Sequence, residues 1–385
     1  MISTRFIERR LPVPVAPDQA LPLALDDHRI DTPAILVDLD VAEQNITRMA
    51  GYARRVGLKL RPHFKTHKSA EMGGRQLAAG ATGLCVATAS EAEAVLAASI
   101  DNLTVAYPLI GDAKLARLSD GVADQRVTLT SDSDAVTESY AALARRIGTT
   151  VPVLIEVDTG MHRAGAPPQQ VLDRARRVAA QTGLEFAGIL THAGHAHDVP
   201  GPRGIAGVAR EEAAVMGDLR AVLEGAGLPP RVVSAGSTLT APFLTADDGI
   251  TEIRPGTYIY NDLRTLACWS CTPDALAVTA LSTVVSTDGI RATIDAGSKT
   301  LTTSKDPAYG HGYPQHAPDV SFQRLSEEHG VLNVPNADAP YQVGDRVQIL
   351  PIHVCVWMDL QPEIYGTRAG RIVERIRIDA LRHSL

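Results

Sequence analysis

The chain has 385 residues, 45% hydrophobic and 21% charged, with a net charge of −7 at neutral pH. That length suits a barrel of about 250 residues plus a second unit, and the acidic balance without a basic tail excludes a nucleic-acid footprint. No apolar run reaches the length of a membrane span, Met1-Ile2-Ser3-Thr4-Arg5 lacks the apolar core of a signal peptide, and the four cysteines make no disulfide framework, so a cytoplasmic globular protein is expected.

From residue 34 the chain alternates short β-rich runs with helical patterns. The runs are Ala34–Asp40, Leu58–Lys65, Gly83–Thr88, Leu103–Pro108, Arg126–Ser131, Val151–Asp158, Leu184–Gly194 and Arg231–Ser237. Amphipathic stretches such as Val41–Val56, Asp134–Ile147, Gln169–Thr182 and Arg210–Gly225 separate them. Strand–helix alternation repeated eight times predicts an α/β fold, a (β/α)8 TIM-like barrel over residues 31–260. No strand leads into a G-x-G-x-x-G turn, so a doubly wound dinucleotide fold has little support. Beyond about residue 260 helical periodicity gives way to short β-branched runs, among them Leu276–Thr287, Gly289–Ala296, Tyr341–Ile349, His353–Trp357 and Arg371–Ile378. Residues 261–385 therefore read as a mostly antiparallel β domain, which the segment 1–30 is expected to join. The Gly-, Pro- and Tyr-rich stretch Thr302–His316 reads as an irregular loop.

Chemistry-bearing residues gather at the ends of the barrel runs, where βα-barrels display their active sites. Lys65, in Arg61-Pro62-His63-Phe64-Lys65-Thr66-His67-Lys68, ends the second run of this count; an amine there can form a Schiff base, with Arg61 or His63 able to lower its proton affinity. Lys68 reads as a surface charge. The sixth run ends in Glu156-Val157-Asp158, with Arg163 offering planar donors to an anion. His192, His195 and His197 crowd the following one, as acid/base groups or metal ligands. Gly236, Ser237 and Thr238 supply the kind of N–H and O–H donors that hold a phosphate, and Tyr258 brings a ring to the same rim. In the β domain, strand alternation would put His353 and Cys355 on one face, about 6.5–7 Å apart along the chain, a spacing that suits two ligands of one ion. Imidazole with thiolate favours Zn²⁺ over Mg²⁺. Cys268 and Cys271 have CxxC spacing without a second pair, and Cys85 reads as core.

Taken together, the segments resemble the fold-type III pyridoxal-phosphate enzymes of the D-serine dehydratase / D-threonine aldolase family, whose N-terminal barrel is alanine racemase-like. The resemblance runs from Asp31-Thr32-Pro33 to the C-terminus. It rests on Arg61 to Lys68, Ser90-Glu91-Ala92, Glu156 to Gly165, Asp295-Ala296-Gly297-Ser298-Lys299, Ser326 to Gly330 and the His353-x-Cys355 pair, in the right order.

The resemblance implies pyridoxal 5'-phosphate bound as a Schiff base on Lys65, with Arg163 near its ring and the Gly236–Thr238 loop on its phosphate. It further implies a divalent metal on His353 and Cys355 acting on the β-hydroxyl of a D-3-hydroxy amino acid, in a homodimer. Two lyase reactions follow: dehydration to a keto acid and ammonia, with Lys65 as the α-proton base, or retro-aldol cleavage to glycine and an aldehyde. Dehydration of substrates such as D-serine or D-threo-3-hydroxyaspartate is the expected one. His353-x-Cys355 suits zinc where the aldolases carry His-x-Asp, suited to Mn²⁺ or Mg²⁺, and His192-Ala193-Gly194-His195 and Gly236-Ser237-Thr238 are dehydratase-like. Leu239, in place of a common proline, and the bulky Val356-Trp357-Met358 depart from that pattern. A racemase, with Tyr309 or Tyr313 as second base, or a pyridoxal-phosphate carrier are the remaining readings.

Overall fold

The computed structural model describes residues 21–335 and 341–381, and the chain divides into two compact units. Each is treated by itself.

The barrel unit is built on eight parallel strands, Lys59–Leu60, Leu84–Val86, Leu103–Pro108, Val127–Ser131, Val151–Val157, Leu184–Thr191, Val232–Ala235 and Glu252–Ile253. Neighbours in sequence are neighbours in the sheet, and Glu252–Ile253 returns to pair with Lys59–Leu60. The ring closes through a parallel bridge of His63 to Cys85 and the bond from the Cys85 N–H to the Pro62 carbonyl, 2.8 Å. Every residue of Val151–Val157 is buried. That is the mark of a strand covered on both faces, by barrel core and by helices, and it explains why the barrel runs show no polar alternation. The helices end by ordinary rules: Asp134–Ile147 carries Asp134 in its first turn, Arg145 and Arg146 in its last, and stops at Gly148 in the left-handed region.

The second unit holds a sheet in the order Leu23–Ala24, Arg371–Arg377, Glu363–Arg368, Ala34–Asp38, Val278–Thr287, Arg291–Ile294, Gly330–Asn333, Ser321–Leu325. Arg346–Leu350 also pairs with Val278–Thr287 and carries Tyr313–Pro314 on its other side. All pairs are antiparallel except Glu363–Arg368 with Ala34–Asp38. Of the segment 1–30, residues 1–20 lie outside the described residues, and Leu23–Ala24 joins this sheet.

Three expectations change. Ala34–Asp38 is a central strand of the second unit, not the first strand of the barrel. A five-residue apolar run before a helix does not say which sheet it enters. The eighth barrel strand is Glu252–Ile253, too short to show a period, so Lys65 follows the first barrel strand, not the second. His353–Trp357 is also not a strand: Val354–Met358 is a helical turn with His353 as its N-cap. Its buried residues, Val354, Trp357 and Met358, fall at the i, i+3, i+4 spacing of a helix rather than the period of two read from the sequence.

Motifs of the second unit prove to be scaffold. Gly297 packs on the backbone of Glu327, whose carbonyl oxygen lies 2.3 Å from where a Cβ would stand. The N–H groups of Ser298 and Lys299 bond the carbonyls of Ser326 and Glu327 at 2.9 and 3.1 Å. Asp295 accepts from Ser282 Oγ at 2.6 Å and from the Thr283 N–H at 2.9 Å. Among the described residues no helix is long and apolar enough to cross a membrane.

Candidate active site

Lys65 sits in the single turn Phe64–Thr66 that follows the closing bridge, half-buried between the fully buried Phe64 and Thr66. His63 caps the turn, its Nδ1 accepting the Lys65 N–H at 3.4 Å. The His63 N–H is in turn held by the Pro255 carbonyl at 3.0 Å. Beyond Pro255 the chain passes so close that a Cβ on Gly256 would stand 2.8 Å from Thr66 Oγ1 and 3.1 Å from His63 Cβ. His67 is turned inward onto Gln76 at 3.0 Å, and Gln76 donates to the Tyr258 hydroxyl at 3.1 Å. Burial lowers the His67 pKa to about 4. Tyr258, expected at the rim, is thus a buried pillar (4% exposed) whose hydroxyl serves this chain of bonds.

Lys68 corrects its reading as a surface charge. It is buried and paired with Glu91 at 3.7 Å. Glu91 also takes the Ala87 N–H at 2.7 Å, so Ser90-Glu91-Ala92 ties the next strand end to the lysine turn.

His192 lies half-buried at the end of Leu184–Thr191. The pKa values of His192 and His63 are both held well below 6.5, first by burial and then by the positive charges of Lys65 and Arg254. Both rings are therefore neutral at pH 7, able to accept a proton or a hydrogen bond. His195 lies against Gly160, where a Cβ would meet its ring at 3.4 Å, and its Nδ1 is buried without a partner among the described residues. His197 approaches Cys268, 3.9 Å between Nδ1 and Sγ. Arg163 stands exposed after Asp158, whose carboxylate organises the loop through the N–H groups of Gly160 and His162, both at 3.0 Å. Burial pushes the pKa of Glu156 up, with Arg163 and Arg254 opposing the shift.

The loop of Gly236, Ser237 and Thr238 is present, but several of its donors are engaged internally. Gly236 adopts φ +79°, and its N–H goes to Glu212 at 3.0 Å. The Ser237 N–H goes to Thr240 Oγ1 at 2.9 Å. Thr238 Oγ1 accepts the N–H groups of Gly256 and Tyr258 at 3.3 and 3.2 Å, so its own proton is left to donate.

The residue missed in the sequence is Arg254. It is 6% exposed, with Nη1 2.5 Å from Ser234 Oγ and Nη2 on the Thr191 carbonyl. Ser234 donates to Glu252 at 2.7 Å, and Glu252 pairs with Arg61 at 3.0 Å, so one buried polar chain runs through the barrel closure. The signal was available: opposite charges at Glu252 and Arg254 flank Ile253, and residues two apart on a strand share a face.

These residues fit pyridoxal phosphate. The field of Lys65 and Arg254 suits an anion, and the His195 Nδ1 is a buried polar atom in want of a partner among the described residues.

In the second unit His353 and Cys355 do meet, although on a helical turn. The thiol hydrogen-bonds the ring; burial lowers the imidazole pKa, but Cys355 and then the charge of Asp262 outweigh it and raise it overall. The two donors fit a borderline-soft divalent cation. Among the described residues no three His, Cys, Asp or Glu side chains gather as a metal site.

Comparison with known proteins identifies the family. Residues 37–263 match the alanine racemase N-terminal domain and residues 277–367 a putative serine dehydratase domain. The chain is 33% identical to the D-threo-3-hydroxyaspartate dehydratase of Delftia sp. (strain HT23), over 85% of this chain and 91% of that one. It is 31% identical to a D-threonine aldolase of Arthrobacter sp, over 95% of each. Among solved structures, the D-threonine aldolase from Filomicrobium marinum superposes with a TM-score of 0.88 at 28% identity, covering 95% of this chain and all of the other. A cysteine-to-alanine form of D-threo-3-hydroxyaspartate dehydratase, described as metal-free, superposes with 0.82 at 31% identity, covering 92% and 98%. The chain therefore belongs to the fold-type III pyridoxal-phosphate enzymes, in the branch that joins an alanine racemase-like barrel to a serine dehydratase domain. It is a lyase of that branch.

Proposed function

We propose that this lyase dehydrates a D-3-hydroxy amino acid, of the D-serine or D-threo-3-hydroxyaspartate type, to a keto acid and ammonia. The observation that carries the proposal is the imidazole–thiol pair His353 and Cys355, the donor set that suits Zn²⁺ rather than Mn²⁺ or Mg²⁺. The Delftia dehydratase, whose cysteine variant is described by its metal content, supports it by analogy.

Bound pyridoxal phosphate supplies a carbonyl carbon for amine exchange and an electron sink for the bond broken at Cα. Lys65 is the anchoring amine and then the base for the Cα proton. Neutral His63 and His192 beside it keep further positive charge away from that amine. Thr238 would donate its hydroxyl proton to the phosphate, Tyr258 supports the turn that carries Lys65 through Gln76, and Arg163 and His195 would meet the bound groups from neighbouring loops. His353 and Cys355 would hold a divalent cation, which would supply Lewis acidity for a departing hydroxyl. We place the enzyme in the cytoplasm, as a homodimer.

Retro-aldol cleavage is the second reading, favoured by the 0.88 superposition on the Filomicrobium aldolase. The test is to give purified enzyme D-serine, D-threonine and D-3-hydroxyaspartate and follow keto acid, glycine and aldehyde separately. Glycine with aldehyde and no keto acid would sink the dehydratase reading. Lys65→Ala should abolish the visible absorbance band of bound pyridoxal phosphate.

A further inference from the structure

We infer that Asp262 is a positioning residue for His353, holding the proton on Nδ1 so that the Nε2 lone pair is the one offered to a cation. The inference rests on the proposed metal role of His353 and Cys355. Asp262 is 1% exposed, and a single oxygen, Oδ2, both accepts the Val354 N–H at 3.1 Å and lies 3.6 Å from His353 Nδ1. Its place there is built in. The N–H groups of Leu263 and Arg264 bond the carbonyls of Pro351 and Ile352 at 3.0 and 3.4 Å, which lays the segment after Asp262 along the segment before His353. On the other side Asn261 turns at φ +51° and is tied by its side-chain amide to the Ala275 carbonyl at 3.1 Å. Asp262 thus arrives at the metal pair from a fixed backbone.

A buried carboxylate is costly unless its charge is used. The Val354 N–H needs only an acceptor, which an asparagine oxygen would provide equally well. The His353 imidazole, 3.6 Å away, is a partner on which the charge acts. A carboxylate on the far nitrogen fixes the tautomer and ring orientation and raises the basicity of the ligating nitrogen. Truncating such partners typically weakens metal binding by about 10–100-fold.

Asp262→Asn keeps an acceptor for Val354 and removes the charge, so it separates positioning from plain turn support. Full-length protein loaded with pyridoxal phosphate would be stripped of metal and titrated with Zn²⁺ against a chromophoric chelator. The expected result is a zinc Kd raised about 10–100-fold with pyridoxal phosphate content unchanged. Zinc binding within twofold of wild type would overturn the inference. A second measurement needs no Asp262 variant: in wild-type protein labelled with ¹⁵N-histidine at pH 8.5, the His353 ring, assigned by its loss in His353→Gln, should carry its proton on Nδ1. A proton on Nε2 would overturn it. Failure of the underlying reading looks different, since wild type would then bind no zinc, or His353→Gln would bind it as tightly, whatever tautomer the ring showed.

Discussion

Glu252→Gln is expected to destabilise the barrel by about 3 kcal/mol, the lower end of the range for breaking a buried ion pair from one side. Arg61 and Glu252 reach across the closure between Lys59–Leu60 and Glu252–Ile253, with side chains 8% and 2% exposed. Arg61 Nε lies 3.1 and 3.0 Å from the two carboxylate oxygens, and the same carboxylate takes the Ser234 hydroxyl at 2.7 Å. A neutral amide leaves the Arg61 charge buried and disturbs the chain that continues to Arg254. Arg61 keeps its bonds to Asn102, one of them to Oδ1 at 3.2 Å, which is why the lower end applies. The double variant Arg61→Met/Glu252→Leu removes both charges and should recover most of the loss, because apolar replacement of a buried pair is often neutral. Urea unfolding of the cofactor-free protein at pH 7, followed by far-ultraviolet circular dichroism, measures both. A single variant within about 1 kcal/mol of wild type, or a double variant as unstable as the single, would refute the view that this pair guards the closure.

Gly256→Ala should weaken pyridoxal phosphate binding and destabilise the protein by about 1–3 kcal/mol, since Thr66 or His63 must give way to the new methyl; unchanged cofactor affinity by absorbance titration would argue against the site. Cys355→Asp should lower zinc content and shift metal preference toward Mn²⁺ or Mg²⁺, read by metal analysis after equilibration with mixed cations. Neutral, buried His67, with its pKa lowered to about 4, contributes stability that is complete above the unfolded-state value near 6.5 and is lost as pH falls toward 4, up to about 3 kcal/mol. His67→Gln should flatten the stability–pH curve over that interval, while His63 and His192 leave a residual slope of the same sign.

Much of the fold was legible because its signals are local. Strand–helix alternation announced the barrel, and the change of period after residue 260 announced the second unit. The lysine turn, the histidine strand end and the His353-x-Cys355 pair each stood out as chemistry-bearing types in short order. What was misread lay where one segment supports two structures. Ala34–Asp38 is equally apolar in either sheet, and only its partners, Val278–Thr287 and Glu363–Arg368, assign it. The residues from His353 to Trp357 are β-branched enough for a strand but bury the face of a helix.

The sequence by itself therefore determined the kinds of element, the chemical types at the strand ends and the family, because periodicity and residue chemistry are properties of neighbours along the chain. Tertiary structure decided which charges are buried together. Lys68 looked like a surface charge until Glu91 was found beside it. Arg254 gained its importance from Ser234 and Thr191, 20 and 63 positions away. Asp262 drew no attention until the fold brought it to His353 from 91 positions off. Burial makes an electrostatic partner matter, and burial is set by contacts between distant segments that no local pattern records.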